Sequence, residues 1–146
     1  MYKDTVTLFN RKPGGRGEGD IWLPTVIKNV NLVMDRSAVV AKYGAESKDN
    51  AILNIRYTVD DGEIMVAGKS WMPPKSWDMT MDSITFAGGV DFDFFWAGEW
   101  TGGIAQDSDY LDEGFYGYMN RTHDYVFAVT SVSKLSVIPH FEITGK

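Results

Sequence analysis

The sequence predicts a mainly β fold, a small antiparallel β-barrel or sandwich with one short helix and long loops. Three observations predict it. From Ala51 to Val59 apolar and polar residues alternate, Leu53, Ile55, Tyr57 and Val59 facing one way and Asn54, Arg56 and Thr58 the other, which is the period of a half-buried strand. Short β-branched and aromatic runs recur along the chain, separated by Gly, Pro and Asp turn signals. Only one stretch, with Phe115, Tyr116, Tyr118 and Met119, has the spacing of a short amphipathic helix. Several short strands with a single helix point to an antiparallel barrel or sandwich. At 146 residues the chain is expected to be one domain, 1–146, large enough to bury a core without staples.

Taken in order, Thr5 to Asn10 reads as a first strand, rich in β-branched and apolar residues. Arg11 to Asp20 holds four glycines and a proline; no Gly-Lys-Ser/Thr closes it and no apolar helix follows, so it reads as a mobile hairpin tip or linker rather than a phosphate cradle. Thr25 to Asp35 reads as a half-buried strand in which Val26, Val30, Leu32 and Met34 share a parity, with Ile27 and Val33 out of phase. Ser37 to Tyr43 is a second apolar piece, a strand by its length. After Ala51 to Val59 comes the Asp61-Gly62 turn, then Ile64 to Val66, a turn at Ala67-Gly68-Lys69, and Ser70 to Met72, a meander. Gly68-Lys69-Ser70 is therefore a hairpin turn and not the end of a P-loop, since Gly62 and Gly68 enclose one residue too many and a strand cannot curl around phosphates.

Pro73-Pro74 stops the ladder, because proline has no N–H to donate. Lys75 to Ser83 reads as a surface loop or one helical turn, and Ile84 to Phe86 as a short strand. Then comes the densest stretch, Asp91 to Trp100, half of it aromatic and bracketed by Gly88-Gly89 and Gly102-Gly103. Each ring removes roughly 150–250 Å² from water, so this block is expected to organise the core. Asp107 to Gly114 is acidic and misses the calcium-loop pattern at Leu111 and Asp112; it reads as a helix entry, where carboxylates complement the amides of the first turn. The helix ends at Asn120 to Asp124. Tyr125 to Val132 is a strong strand, Ser133-Lys134 a turn, and Ser136 to Thr144 a closing strand.

Composition narrows the function. The net charge is −6, and the 14 basic residues are scattered without a run or stripe, so sequence-specific nucleic-acid binding is not expected. Cysteine is absent, which removes disulfides and thiolate metal sites. No apolar run approaches the ~18 residues of a membrane helix, and Met1 to Thr5 lacks the design of a secretory signal. A soluble chain made in a cytoplasm, without a membrane partner, is the expectation.

Chemistry has little to build on. His123 and His140 have no i, i+4 partner and no third ligand, so no metal, cofactor or catalytic residue is assigned. His140 reads as a packed or interface residue, and His123-Asp124 as a loop at a helix end. Asp91, Asp93 and Glu99 could supply the two carboxyls of a glycosidase, with Trp71, Trp77, Trp96 and Trp100 as sugar-stacking platforms. The plainer reading makes the rings core aromatics and the acids solvated turns.

Several segments carry a family resemblance. Val66 to Trp71 followed by Pro73-Pro74-Lys75-Ser76-Trp77, then Asp93 to Glu99, then Leu135 to Gly145 with Pro139-His140-Phe141-Glu142, resembles small morphogenesis proteins of tailed phages and of prophages in Gram-positive bacteria. Val39 to Glu46 and Asp49-Asn50-Ala51 fit the same pattern. The nearest likeness is a minor-capsid family similar to the head-completion, or stopper, proteins of the head–tail connector. The resemblance implies a small barrel with a long loop and a short helix, copies stacked as a homo-oligomeric ring among connector and tail proteins of the virion, and no active site or cofactor. The long acidic insert Gly102 to Gly114 departs from that pattern and fits a tail-terminator or neck protein as well. A carbohydrate-binding β-module using exposed tryptophans is the reading from another class.

Overall fold

The computed structural model describes residues 2–34 and 50–146. The apolar piece Ser37 to Tyr43 and the resembling stretch Val39 to Glu46 lie outside them. Strands β1 (Asp4–Lys12), β2 (Ile21–Met34), β3 (Ala51–Arg56), β8 (Phe94–Trp96), β10 (Val126–Leu135) and β11 (His140–Gly145) close into a six-stranded antiparallel barrel in the order β1-β8-β10-β11-β3-β2 and back to β1. The barrel form of the expected β fold is therefore the one adopted. A short β9 (Ala105–Gln106) pairs with the start of β2. The meander β4 (Thr58–Asp60), β5 (Glu63–Val66) and β6 (Lys69–Trp71), joined by a parallel β7 (Ser83–Ile84), makes a second small sheet that packs Val66 and Ile84 into the barrel core.

Both hairpin turns of the meander place their central residues at positive φ, Asp61 and Gly62 at 51° and 80° and Ala67 and Gly68 at 51° and 77°. That twist matches the flanking strands, and it confirms Gly68-Lys69-Ser70 as hairpin rather than phosphate loop. The glycine-rich segment after β1 likewise joins an antiparallel pair, with Lys12 opposite Ile21.

The aromatic block explains itself once its neighbours are in place. β8 lies between β1 and β10, so Phe95 points into the barrel with Val6, Leu8, Phe127, Val129, Phe141 and Ile143. Phe94 points outward, into a second core made with Phe9, Trp22, Phe115, Met119 and Val126. The helix α1 (Gly114–Thr122) roofs that second core, burying Phe115 and Met119 one turn apart. A strand buried on both faces needs no alternation, which is why Phe94-Phe95-Trp96 reads as a continuous run.

Three expectations are corrected. Before Asn29 the inward set of β2 is Ile27 and not Val26, because Asn29 sits at φ 59° as an extra residue between the pairs Thr5–Lys28 and Asp4–Val30. This bulge flips the parity, so Ile27 and Val30 both face the core. Val59 does not share the face of Leu53, Ile55 and Tyr57: the chain leaves the barrel at Tyr57, and Val59 is 63% exposed on β4. Ser133-Lys134 is strand and not turn. Alternation carries β10 on through the pairs Val132–Ile143 and Lys134–Phe141, and the reversal comes at Ser136–Pro139, where a residue without an N–H breaks no ladder.

Candidate functional site

Of the carboxylates singled out in the sequence, Asp91 and Asp93 both meet Arg11, and Glu99 faces Lys28. Asp93 lies at the end of β8 and is only 1% exposed, which corrects its reading as a solvated turn residue. Its Oδ1 accepts the Arg11 N–H at 2.8 Å, and its Oδ2 accepts Asn10 Nδ2–H at 2.9 Å and the Ala87 N–H at 2.8 Å. Asn10 Nδ2 also donates to the Thr85 carbonyl at 2.7 Å. The carboxyl thus ties β1 to the 85–93 loop. Burial pushes its pKa up to about 7, against the opposing pull of these donors and of the Arg11 charge. Asp91 is exposed and faces the Arg11 guanidinium at 3.4 Å, while Glu99 lies 3.8 Å from Lys28. Asp93 is thus a buried acid held by donors of its own chain, and Asp91 and Glu99 are surface acids that each face a base.

Asp107 is a second knot. Oδ1 accepts Trp22 Nε1–H at 2.8 Å and the Phe115 N–H at 2.9 Å, and Oδ2 accepts the Asp20 N–H at 3.2 Å. Its own N–H donates to the Asp20 carbonyl at 2.9 Å. It fills the role expected of the acidic stretch, satisfying a first-turn amide of α1, but from seven residues upstream rather than from the adjoining position. The backbone must come close for this: a Cβ on Gly19 would sit 2.8 Å from the Asp107 Cβ. No spacing in the sequence marks Asp93 or Asp107, because each combines one near donor, the Ala87 or the Phe115 N–H, with donors from Asn10 and Arg11 or from Asp20 and Trp22 that lie more than 80 positions away in the chain.

The tryptophans pack into the protein: Trp22, Trp96 and Trp100 in the outer cluster, and Trp71 against the barrel core. Trp22 and Trp77 are buried, and Trp71, Trp96 and Trp100 are half-buried. Trp71 lies against Phe141 with centroids 4.9 Å apart, Trp96 against His123 at 5.0 Å, and Trp100 against Phe9 and Phe115 at 5.7 and 5.3 Å. The two histidines stay apart, His123 beside Thr122 Oγ1 and His140 beside the Ile138 carbonyl. Among the described residues no group of three or more His, Cys, Asp and Glu converges as metal ligands, and no helix is long and apolar enough to cross a membrane.

What remains open is surface. A groove of about 600 Å³ runs between the 88–92 loop, α1 and β10, lined by Val90, Phe92, Tyr116 and Val129. The opposite end of the β10–β11 hairpin carries an apolar tip, Val137 at 97% and Ile138 at 70% exposed. Comparison with curated proteins and with solved structures finds no match. A family model does match, over residues 1–146, a span that takes in the barrel, its helix and both carboxylate knots, and the chain belongs to the family of unknown function DUF6751.

Proposed function

We propose that the protein is a structural component of a tailed phage or prophage particle, a head-completion (stopper) protomer of the head–tail connector that works by assembly and not by catalysis. The observation that carries this reading is where the resembling segments fall. Asp93 to Glu99 contains β8, the strand that closes the barrel between β1 and β10, and Leu135 to Gly145 forms an exposed hairpin tip and β11. These segments serve closure of the domain and display of a surface. Asp93 accepts hydrogen bonds from its own chain and Glu99 pairs with Lys28, in support of a scaffolding role.

The barrel interior is filled by Leu8, Phe95, Phe127 and Phe141, so a single copy offers no pore. Any channel for DNA would be framed by several copies in a ring, with the barrels as its wall, joined to other connector or tail proteins. The acidic balance of −6 suits a wall that DNA passes without adhering. Disruption of the gene in a producing host tests the proposal. Expected are heads that package DNA and then lose it, without attached tails, and recovery of the chain from purified wild-type particles by mass spectrometry. Infectious particles assembled normally without the protein would overturn it.

A further inference from the structure

We propose that the free edge of β10, from Thr130 to Leu135, takes as an added strand an extended segment of another protein that carries a carboxylate opposite Lys134. This contact goes beyond the connector reading and does not depend on it. β8 pairs with β10 only over Val126–Ala128. The next backbone bonds on that side are the Gly89 N–H to the Val129 carbonyl at 3.3 Å and the Val129 N–H to the Asp93 carbonyl at 2.9 Å. Beyond Val129, among the described residues, β10 is paired on its β11 side alone. Lys146 exchanges both backbone hydrogen bonds with Ala128, so by alternation Glu142 and His140 also turn toward β10 and bond their partners Ser133 and Leu135. Val132 and Lys134 therefore turn their N–H and C=O away from β11, toward the open side. Unpaired ladder groups at strand spacing fit one kind of ligand, another extended backbone.

The same edge borders a groove of about 440 Å³, lined by Val132 and Lys134 and by the rings of Trp71, Phe86 and Phe141. The Phe141 centroid lies 4.9 Å from Trp71 and 4.8 Å from Phe86. Side chains of an added strand that stand opposite Val132 and Lys134 share their face, and so lie over these rings, while the intervening ones point away. The Trp71 indole N–H is buried without an acceptor among the described residues, a donor that a strand carbonyl would answer. From Thr130 to Lys134 the edge is roughly 13 Å long at about 3.3 Å per residue, which sets the segment at about five residues.

Charge and shape define the occupant. Among the described residues that line the groove Lys134 alone is charged. Its ammonium stands 5.5 Å from the Tyr57 ring and joins no carboxylate. A carboxylate placed opposite it gains a cross-strand ion pair. The groove is bounded by β10 and also by Trp71, Pro74 and Gly88, which leaves an added strand no room for a sheet of its own. The described strands of this chain all belong to its two sheets, so a folded second copy does not supply the segment.

The probe is a fluorescein-labelled peptide, Thr-Glu-Thr-Ile-Thr-Ile-Thr, titrated into the full chain and followed by anisotropy and by amide chemical shifts. In the antiparallel register its glutamate stands opposite Lys134 and its first isoleucine opposite Val132. Saturable binding is expected, with shifts centred on 129–135, Trp71 and 86–88. Lysine in place of the peptide's glutamate should weaken binding several-fold, and Lys134→Gln should do the same from the protein side. N-methylation of the glutamate and first isoleucine amides, which face β10, should abolish binding without touching the protein. Lys134→Pro should also abolish it while circular dichroism remains native, because proline is tolerated on an edge where the N–H faces outward. Absence of saturable binding overturns the proposal, as does equal binding of the N-methylated peptide or a set of shifts centred elsewhere. Concentration-dependent shifts at 130–135 without peptide would show a second copy on the edge and overturn the choice of a foreign segment.

Discussion

Asp93 sets two terms against each other at one side chain. Three N–H donors on its two oxygens favour the carboxylate, while removal from water favours the neutral acid, and burial is the larger. Because the folded pKa is raised to about 7 from an ordinary value of 3.8, the folded state binds more protons than the unfolded one between those limits. The contribution to stability is therefore fully present below about pH 4, declines as pH rises through 7, and is flat above. Urea unfolding of wild type and Asp93→Asn across pH 4 to 8.5 should give a stability difference that falls with pH, by no more than about 1.4 kcal/mol per unit. A difference curve flat over that range would show that Asp93 does not titrate there. In the barrel interior Ile55 is fully buried on the face that the sequence assigned to it, and Ile55→Ala should cost about 2–5 kcal/mol. An unchanged melting temperature would mean that the site collapses without a cavity.

At the scale of elements, the sequence was readable wherever one face of a strand decides burial. Leu53, Ile55, Phe141 and Ile143 alternate cleanly, and all of them line the core. It was misleading where a backbone detail resets the phase, as at Asn29, or where a strand outruns a weak turn signal, as at Lys134. The carboxylate knots were hidden for a different reason: each joins one near amide, of Ala87 or Phe115, to donors that the fold delivers from more than 80 positions away, and no spacing rule encodes that. Asp107 shows how much one such residue can hold, since it joins the β1–β2 hairpin, the acidic insert and α1. Asp107→Ala leaves the Trp22 indole N–H and the Phe115 amide without their acceptor, each at a cost of about 1–3 kcal/mol where the group stays dry. The loss should be local first. Hydrogen exchange at the start of α1 should quicken more than exchange in β3 and β11, and equal acceleration throughout would show that the knot is not an independent unit.

For the molecule as a whole, the two long loops differ in how they are held, and that difference bears on assembly. The acidic insert Gly102 to Gly114 is pinned by β9, by Asp107 and by the Trp100 indole, which donates to the Gly103 carbonyl at 2.8 Å. Pro13 to Gly19 has lighter ties, a Glu18 N–H bond to Gly15 at 2.9 Å and a Gly14 N–H bond to Asp20 Oδ1 at 3.3 Å, and Arg16, Gly17 and Glu18 are exposed. Fixing backbone costs roughly 1–2 kcal/mol per residue, and this segment buries no large apolar side chain to offset it. If the chain works as a connector protomer, the tip is where a neighbouring layer can add the missing contacts, with Arg16 available to a neighbour's carboxylate. The expected outcome is fast hydrogen exchange over 14–18 in the free protein, slow exchange in the insert, and protection of 14–18 within assembled particles. Protection of 14–18 already in a free monomer would remove the loop from any part in assembly. Continued fast exchange inside particles would leave it a solvent-facing turn.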